Sequence, residues 1–231
     1  MYKALEEKLG LHFRGEALLK LALTHSSYIY ETTNVGIDSN ERLEFLGDSV
    51  LACISADYLY RSFPELSEGD LSNTRAALVK GETLAQFARA LDLGDFLIMG
   101  KGEANSSKGQ RVLAAAFEAV LGAIYLDQGL EAAQRFLLPR LEPMAHHIVK
   151  KRLFKDHKSL FQELAQAQTG ITPAYRLVSQ EGPSHNREFK VEALLGDEVA
   201  GYGQGRNKQT AEQEAALAAL RNRGWIEDTD K

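Results

Sequence analysis

The chain has 231 residues, 44% hydrophobic and 26% charged, with a formal net charge of −5 and a single cysteine, Cys53. That length suits one or two domains with a real core, and the balance excludes a disordered or fibrous chain. No apolar run reaches the ~20 residues of a membrane span, the first residues lack a signal-peptide core, and one cysteine excludes a disulfide framework or cysteine zinc site, so the cytoplasm is the expected compartment.

Apolar positions at spacings of three and four predict helices along the front of the chain. Leu5 and Leu9 mark the first, and Leu18, Leu19 and Leu23 the second. A longer helix covers about 40–60, and others fit 67–79, 82–91, 110–126 and 130–146. Cys53 has apolar neighbours and is expected in the core. His25, in Thr24-His25-Ser26-Ser27, is expected to be a hydrogen-bonded structural histidine. A basic run follows Pro139 and Pro143 and reads as a helix end passing into a linker.

After residue 155 the period changes. A helix fits 156–168, alternating strands fit 175–179, 188–195 and 198–202, and an alanine-rich helix fits 210–220. The expected fold class is an all-α domain followed by a small α+β domain of α-β-β-β-α order. The expected boundaries are 1–147 for the helical domain, 148–155 for a linker, 156–225 for the second domain and 226–231 for a tail.

Charge follows the same division. Residues 1–150 hold 15 Lys/Arg against 20 Asp/Glu, and residues 151–231 hold 12 of each. The acidity belongs to the front, so the net value by itself does not argue against a nucleic-acid partner.

Within Asn40-Glu41-Arg42-Leu43-Glu44-Phe45-Leu46-Gly47-Asp48-Ser49, the acids Glu41, Glu44 and Asp48 share a helix face. Like charges at that spacing repel by tenths of a kcal/mol, so the face is either simply solvated or holds a cation. Gly47 costs about 1 kcal/mol against Ala inside a helix, which implies a very close neighbour. Glu118 lies on a helix apolar nearly all round, where an unpaired carboxylate is costly. It is therefore neutral, bound to metal, or paired with a base, for which Arg111 is the candidate. Carboxylates without cysteine or paired histidine suit Mg²⁺, with Mn²⁺ as substitute. A metal so held fits phosphodiester chemistry.

The second domain carries two polar loops. Gly182-Pro183-Ser184-His185-Asn186 joins the first two strands. Gly203-Gln204-Gly205-Arg206-Asn207-Lys208 enters the last helix, whose N-terminal N–H groups favour phosphate. Gln162 and Glu163 can reach ribose hydroxyls. Such a module reads an RNA duplex by shape.

These segments resemble bacterial ribonuclease III over essentially the whole chain. The resemblance rests on Asn40 to Ser49, on Pro64-Glu65-Leu66-Ser67-Glu68-Gly69-Asp70-Leu71, on Phe117-Glu118-Ala119-Val120-Leu121-Gly122-Ala123-Ile124-Tyr125-Leu126-Asp127, and on Lys208-Gln209-Thr210-Ala211-Glu212. It implies a homodimeric, Mg²⁺-dependent endonuclease acting on double-stranded RNA, in RNA processing such as that of ribosomal precursors, with 5′-phosphate and 3′-hydroxyl products. No membrane and no small-molecule cofactor are implied. Metal ligation would fall to Glu44, Asp48 and Glu118, with Asp48 and Glu118 catalytic and Glu41 and Glu68 lining the site. RNA contacts would fall to Gln162, Glu163, Pro183, Ser184, His185, Arg206, Asn207 and Lys208. The family has an Asp where this chain has Ala115, one turn before Glu118. Either the chain is an engineered inactive variant that grips RNA without cutting it, or it is a natural divergent member that holds the metal with the remaining acids and water. Gln209 stands where a lysine is common, which removes one phosphate contact.

Overall fold

A computed structural model describes residues 2–31, 38–103, 109–152, 154–183 and 187–226, in two compact units that divide between Phe154 and Lys155.

The first unit is helical. Its elements are α1 (Tyr2–Leu9), α2 (Glu16–Ala22), α3 (Ser26–Glu31), α4 (Glu41–Ser62), α5 (Glu68–Leu78), α6 (Gly81–Ala90), a 3-10 turn at Leu93–Asp95, α7 (Gln110–Gln128) and α8 (Leu130–Lys150). The core is built around α7, whose Leu113, Phe117, Val120, Leu121 and Ile124 are fully buried. This helix buries nearly all its sides because α4, α6, α2 and α8 pack around it. Gly129 separates α7 from α8 at φ +82°, a conformation a side chain would resist.

Two expectations change here. Cys53 is exposed rather than in the core. The inward stripe of α4 is Leu43, Gly47, Val50, Leu51, Ile54 and Leu59, and Cys53 lies on the opposite side with Phe45 and Tyr60. Moreover, α8 does not stop near 146 but runs to Lys150, through both Pro139 and Pro143. Each proline removes one helical N–H. Burial of Phe136, Leu137, Leu141, Ala145 and Ile148 holds the helix together, and Arg140 Nη1 donates to the Phe136 carbonyl. Ile148 and Phe154 belong to the first unit's core, so the segment 148–155 is largely part of that unit.

The short α3 escapes periodicity because six residues make too few turns. Its tertiary contacts hold it: the Glu31 carboxylate accepts the N–H groups of Lys101 at 2.7 Å and Gly102 at 3.0 Å.

The second unit comprises α9 (His157–Thr169), β1 (Ala174–Glu181), β2 (Glu188–Leu195), β3 (Glu198–Gly205) and α10 (Lys208–Asn222). The sheet is antiparallel in the order β1-β2-β3, with Leu177 opposite Val191 and Ala193 opposite Gly201. Its core joins Val191, Ala193 and Leu195 to Leu160, Phe161 and the alanines of α10. Gly201, Gly203 and Gly205 let β3 lie directly on that helix. A Cβ at Gly203 would sit 2.2 Å from both the Ala211 carbonyl oxygen and the Ala215 nitrogen. Their spacing is thus a packing device and not a phosphate loop.

Candidate functional site

The crossing of α4 and α7 sets the geometry of the acidic face. Gly47 has no room for a side chain: a Cβ there would lie 1.8 Å from the Glu118 carbonyl oxygen. Gly122, one turn along α7, is in the same position against the Leu43 carbonyl oxygen, 2.4 Å from its notional Cβ. The two backbones therefore touch, and this brings Glu118 beside Glu44 and Asp48.

The start of α4 is pinned by Asn40, which is 3% exposed. Its N–H donates to the Thr24 carbonyl at 2.8 Å, its Nδ2 to the Ala22 carbonyl at 3.2 Å, and its own carbonyl accepts the Glu44 N–H at 2.8 Å. Sequence reasoning placed Asn40 only at the helix boundary and missed this anchoring role.

Electrostatics single out Glu118. Burial, then the charges of Asp48 and Glu44, raise its pKa from 4.5 to about 7. The Glu44 carboxyl is also raised, by burial and by Glu41, with Asp48 adding to the rise, while Arg111 and His25 oppose it. Arg111 makes no ion pair with Glu118 among the described residues; its charge is felt at Glu44 instead. The side chains do not form a finished coordination shell. No three His, Cys, Asp or Glu side chains among the described residues converge closely enough to hold a metal ion. The donor set still fits a hard cation: every donor is a carboxylate oxygen, and the burial and like-charge repulsion that raise the Glu118 pKa are both offset by a cation.

The remaining acids are less central. Glu41 accepts from Ser39 Oγ at 2.8 Å. Glu68 accepts from Ser72 Oγ at 2.9 Å, and no interaction joins it to Glu44, Asp48 or Glu118 among the described residues. Ala115 is half-buried one turn before Glu118 and brings a methyl group to that face.

Beside this face lies an apolar cavity of about 660 Å³, lined by Leu18, Leu21, Leu43, Leu46 and Leu126, with Glu41 and Arg42 at its edge. Phe45, also at its edge, is 78% exposed. Sequence reasoning passed over Phe45; the available signal was a large aromatic among the acids Glu41, Glu44 and Asp48.

In the second unit, Gln162 is exposed on α9, whereas exposed Glu163 is ion-paired with Lys155. Pro183, Arg206 and Lys208 are exposed, and Ser184 and His185 lie outside the described residues. Asn207 is the N-cap of α10: its Oδ1 accepts the Thr210 N–H at 2.8 Å, so one of the helix-end donors is already used. Glu212 draws Lys158 to 2.7 Å and Lys208 to 3.8 Å. Gln209 lines a cavity of about 300 Å³ with Gln162, Tyr175 and Gln213.

The Ribonuclease-III-like family profile matches residues 15–144, and the double-stranded RNA binding motif matches residues 157–223. The chain is 47% identical over 218 residues to Ribonuclease 3 of Pelotomaculum thermopropionicum, covering 94% of this chain and 90% of that one. It is 44% identical over 228 residues to Ribonuclease 3 of Caldanaerobacter subterraneus, covering 98% and 100%. Among solved structures, the ribonuclease III nuclease domain of Campylobacter jejuni, described for a flexible region involved in dimer formation, aligns with a TM-score of 0.57. It is 40% identical and covers 62% of this chain and 97% of that one.

Proposed function

The chain belongs to the ribonuclease III family of double-stranded-RNA-specific endoribonucleases, and we propose that it cuts duplex RNA with Mg²⁺, as a homodimer, to leave 5′-phosphate and 3′-hydroxyl ends. The observation that carries this reading is the contact of Gly47 with the Glu118 carbonyl, which gathers Glu44, Asp48 and Glu118 into one coupled group. These three would hold Mg²⁺, or Mn²⁺ in its place. When bound, the ion supplies positive charge that offsets the charge building on the phosphate.

The chain's own groups do the rest. Asn40 fixes the first turn of α4, and with it the direction of Glu44. Glu118 has a pKa of about 7 while no cation is present, and ligating one would hold it as the carboxylate. Gln162, Arg206 and Lys208 grip backbone and ribose and leave base identity unread, which suits processing of structured precursors such as ribosomal and messenger RNA. No described helix is long and apolar enough to cross a membrane; we assign the activity to the cytoplasm.

The homodimer is supported by self-complementarity. A twofold interface needs a projecting group and a recess on the same patch, and Phe45 stands beside the leucine-lined cavity.

A second reading rests on Ala115. Without an oxygen donor there, the chain binds duplex RNA and does not cut it. Incubating a long RNA duplex with the protein and Mg²⁺ decides between the two. Short 5′-phosphorylated duplexes support cleavage, and intact RNA with retarded gel mobility supports the binding protein. RNA neither cut nor shifted overturns both.

A further inference from the structure

Resting on that nuclease reading, we infer that His25 touches the substrate, its Nε2–H donating to a phosphate oxygen of the RNA strand that lies along the acidic face. The ring's tautomer is fixed by its neighbours. The Ser27 backbone N–H can only donate, and it meets His25 Nδ1 at 3.2 Å. Nδ1 is therefore the acceptor, and the neutral ring carries its proton on Nε2. Ser27 Oγ lies 2.9 Å from the same Nδ1 and itself accepts the Gly100 N–H at 3.0 Å, which leaves its own hydrogen for the imidazole.

One side of the ring is thus fully occupied. The other is not: Nε2–H has no hydrogen-bond partner among the described residues, and the ring is only half-buried.

The backbone sets where this donor stands. His25 follows Thr24, whose carbonyl takes the Asn40 N–H, and Asn40 in turn takes the Glu44 N–H. The His25 N–H is itself held by the Ile98 carbonyl at 2.9 Å. The ring stands within electrostatic range of Glu44, as Arg111 does. Glu41, Glu44, Asp48 and Glu118 all repel a phosphate. A preoriented neutral donor at their edge attracts one at no cost in reorganisation.

The test compares full-length wild type with His25→Asn and His25→Gln. It measures single-turnover cleavage of a long RNA duplex at saturating Mg²⁺, thermal unfolding and gel-shift binding. Asn keeps an acceptor for the Ser27 N–H and loses the distal donor, whereas Gln can place an N–H at the distal position. Expected are wild-type unfolding and duplex binding for His25→Asn, with cleavage slower by on the order of ten- to a hundredfold, and partial recovery in His25→Gln. Wild-type cleavage by His25→Asn overturns the assignment, as does an equal loss in both variants that tracks lost thermal stability. A wild-type protein that leaves the duplex intact overturns the nuclease reading and this role with it. Cutting by wild type and His25→Asn alike overturns the role alone.

Discussion

Gly47 and Glu118 meet backbone to backbone: a single added carbon on residue 47 would fall 1.8 Å from the Glu118 carbonyl oxygen. The acidic face is built on that contact. Gly47→Ala must push α4 and α7 apart along buried core, and overpacking of this kind costs about 1–3 kcal/mol or more. The expected result is a lower thermal midpoint together with loss of cleavage. An alanine variant with wild-type melting would remove Gly47 from the argument.

Glu118 gives the fold a pH dependence. In the unfolded chain it ionises near 4.5, and in the folded chain near 7. Its contribution to stability is fully present below 4.5 and is lost as the pH rises through about 7, because the unfolded chain gives up the proton first. Glu118→Gln removes that slope. In metal-free buffer above pH 7, calorimetry should find the variant more stable by about 1 kcal/mol, a value discounted for the group's partial exposure. Cleavage should be abolished at the same time.

Ala115→Asp adds a carboxylate on the same side of α7 as Glu118. It should tighten Mg²⁺ binding in titration calorimetry and raise the cleavage rate. Without metal it should also push the Glu118 pKa higher, since a further like charge opposes ionisation. An unchanged rate and unchanged Mg²⁺ affinity would place the metal elsewhere.

Phe45 is 78% exposed at the edge of a leucine-lined cavity. Phe45→Glu should leave the monomer folded and shift sedimentation from dimer to monomer, because a charge cannot enter an apolar recess without a large desolvation cost. A Phe45→Glu protein that sediments as a dimer would put the interface on another surface.

Asp156 caps α9. Burial pushes its pKa up, but hydrogen bonds from Gln213, from the Ser159 side chain and from the Ser159 and Lys158 N–H groups outweigh that and hold it below the usual value. Its stabilising effect is present above the unfolded pKa of 3.8 and fades as the pH falls below it. Asp156→Ala should cost about 1 kcal/mol and weaken duplex binding in a gel shift, with the first unit's melting unaffected.

Much of this molecule was legible in its pattern. The long helices, the three strands and the order of the two units follow from periodicity, which depends only on neighbours along the chain. Gly47 announced a close approach, and the spacing of Glu41, Glu44 and Asp48 put them on one face. The pattern was silent on α3, which is too short to show a period and is held by Lys101 and Gly102. It misled on Cys53, whose apolar neighbours face inward while it faces out, and on the end of α8, which burial of Ile148 carries on to Lys150.

The sequence by itself determined the elements, the residue types of the acidic face, the family likeness and the absence of an acid at Ala115. Tertiary structure alone decided that Glu118 lies beside Asp48 and Glu44 and not against Arg111, that Asn40 anchors the site, that Asn207 caps α10, and that His25 keeps an unused donor. Those outcomes depend on contacts between residues dozens of positions apart, and such contacts are set by how helices pack, which no local period records.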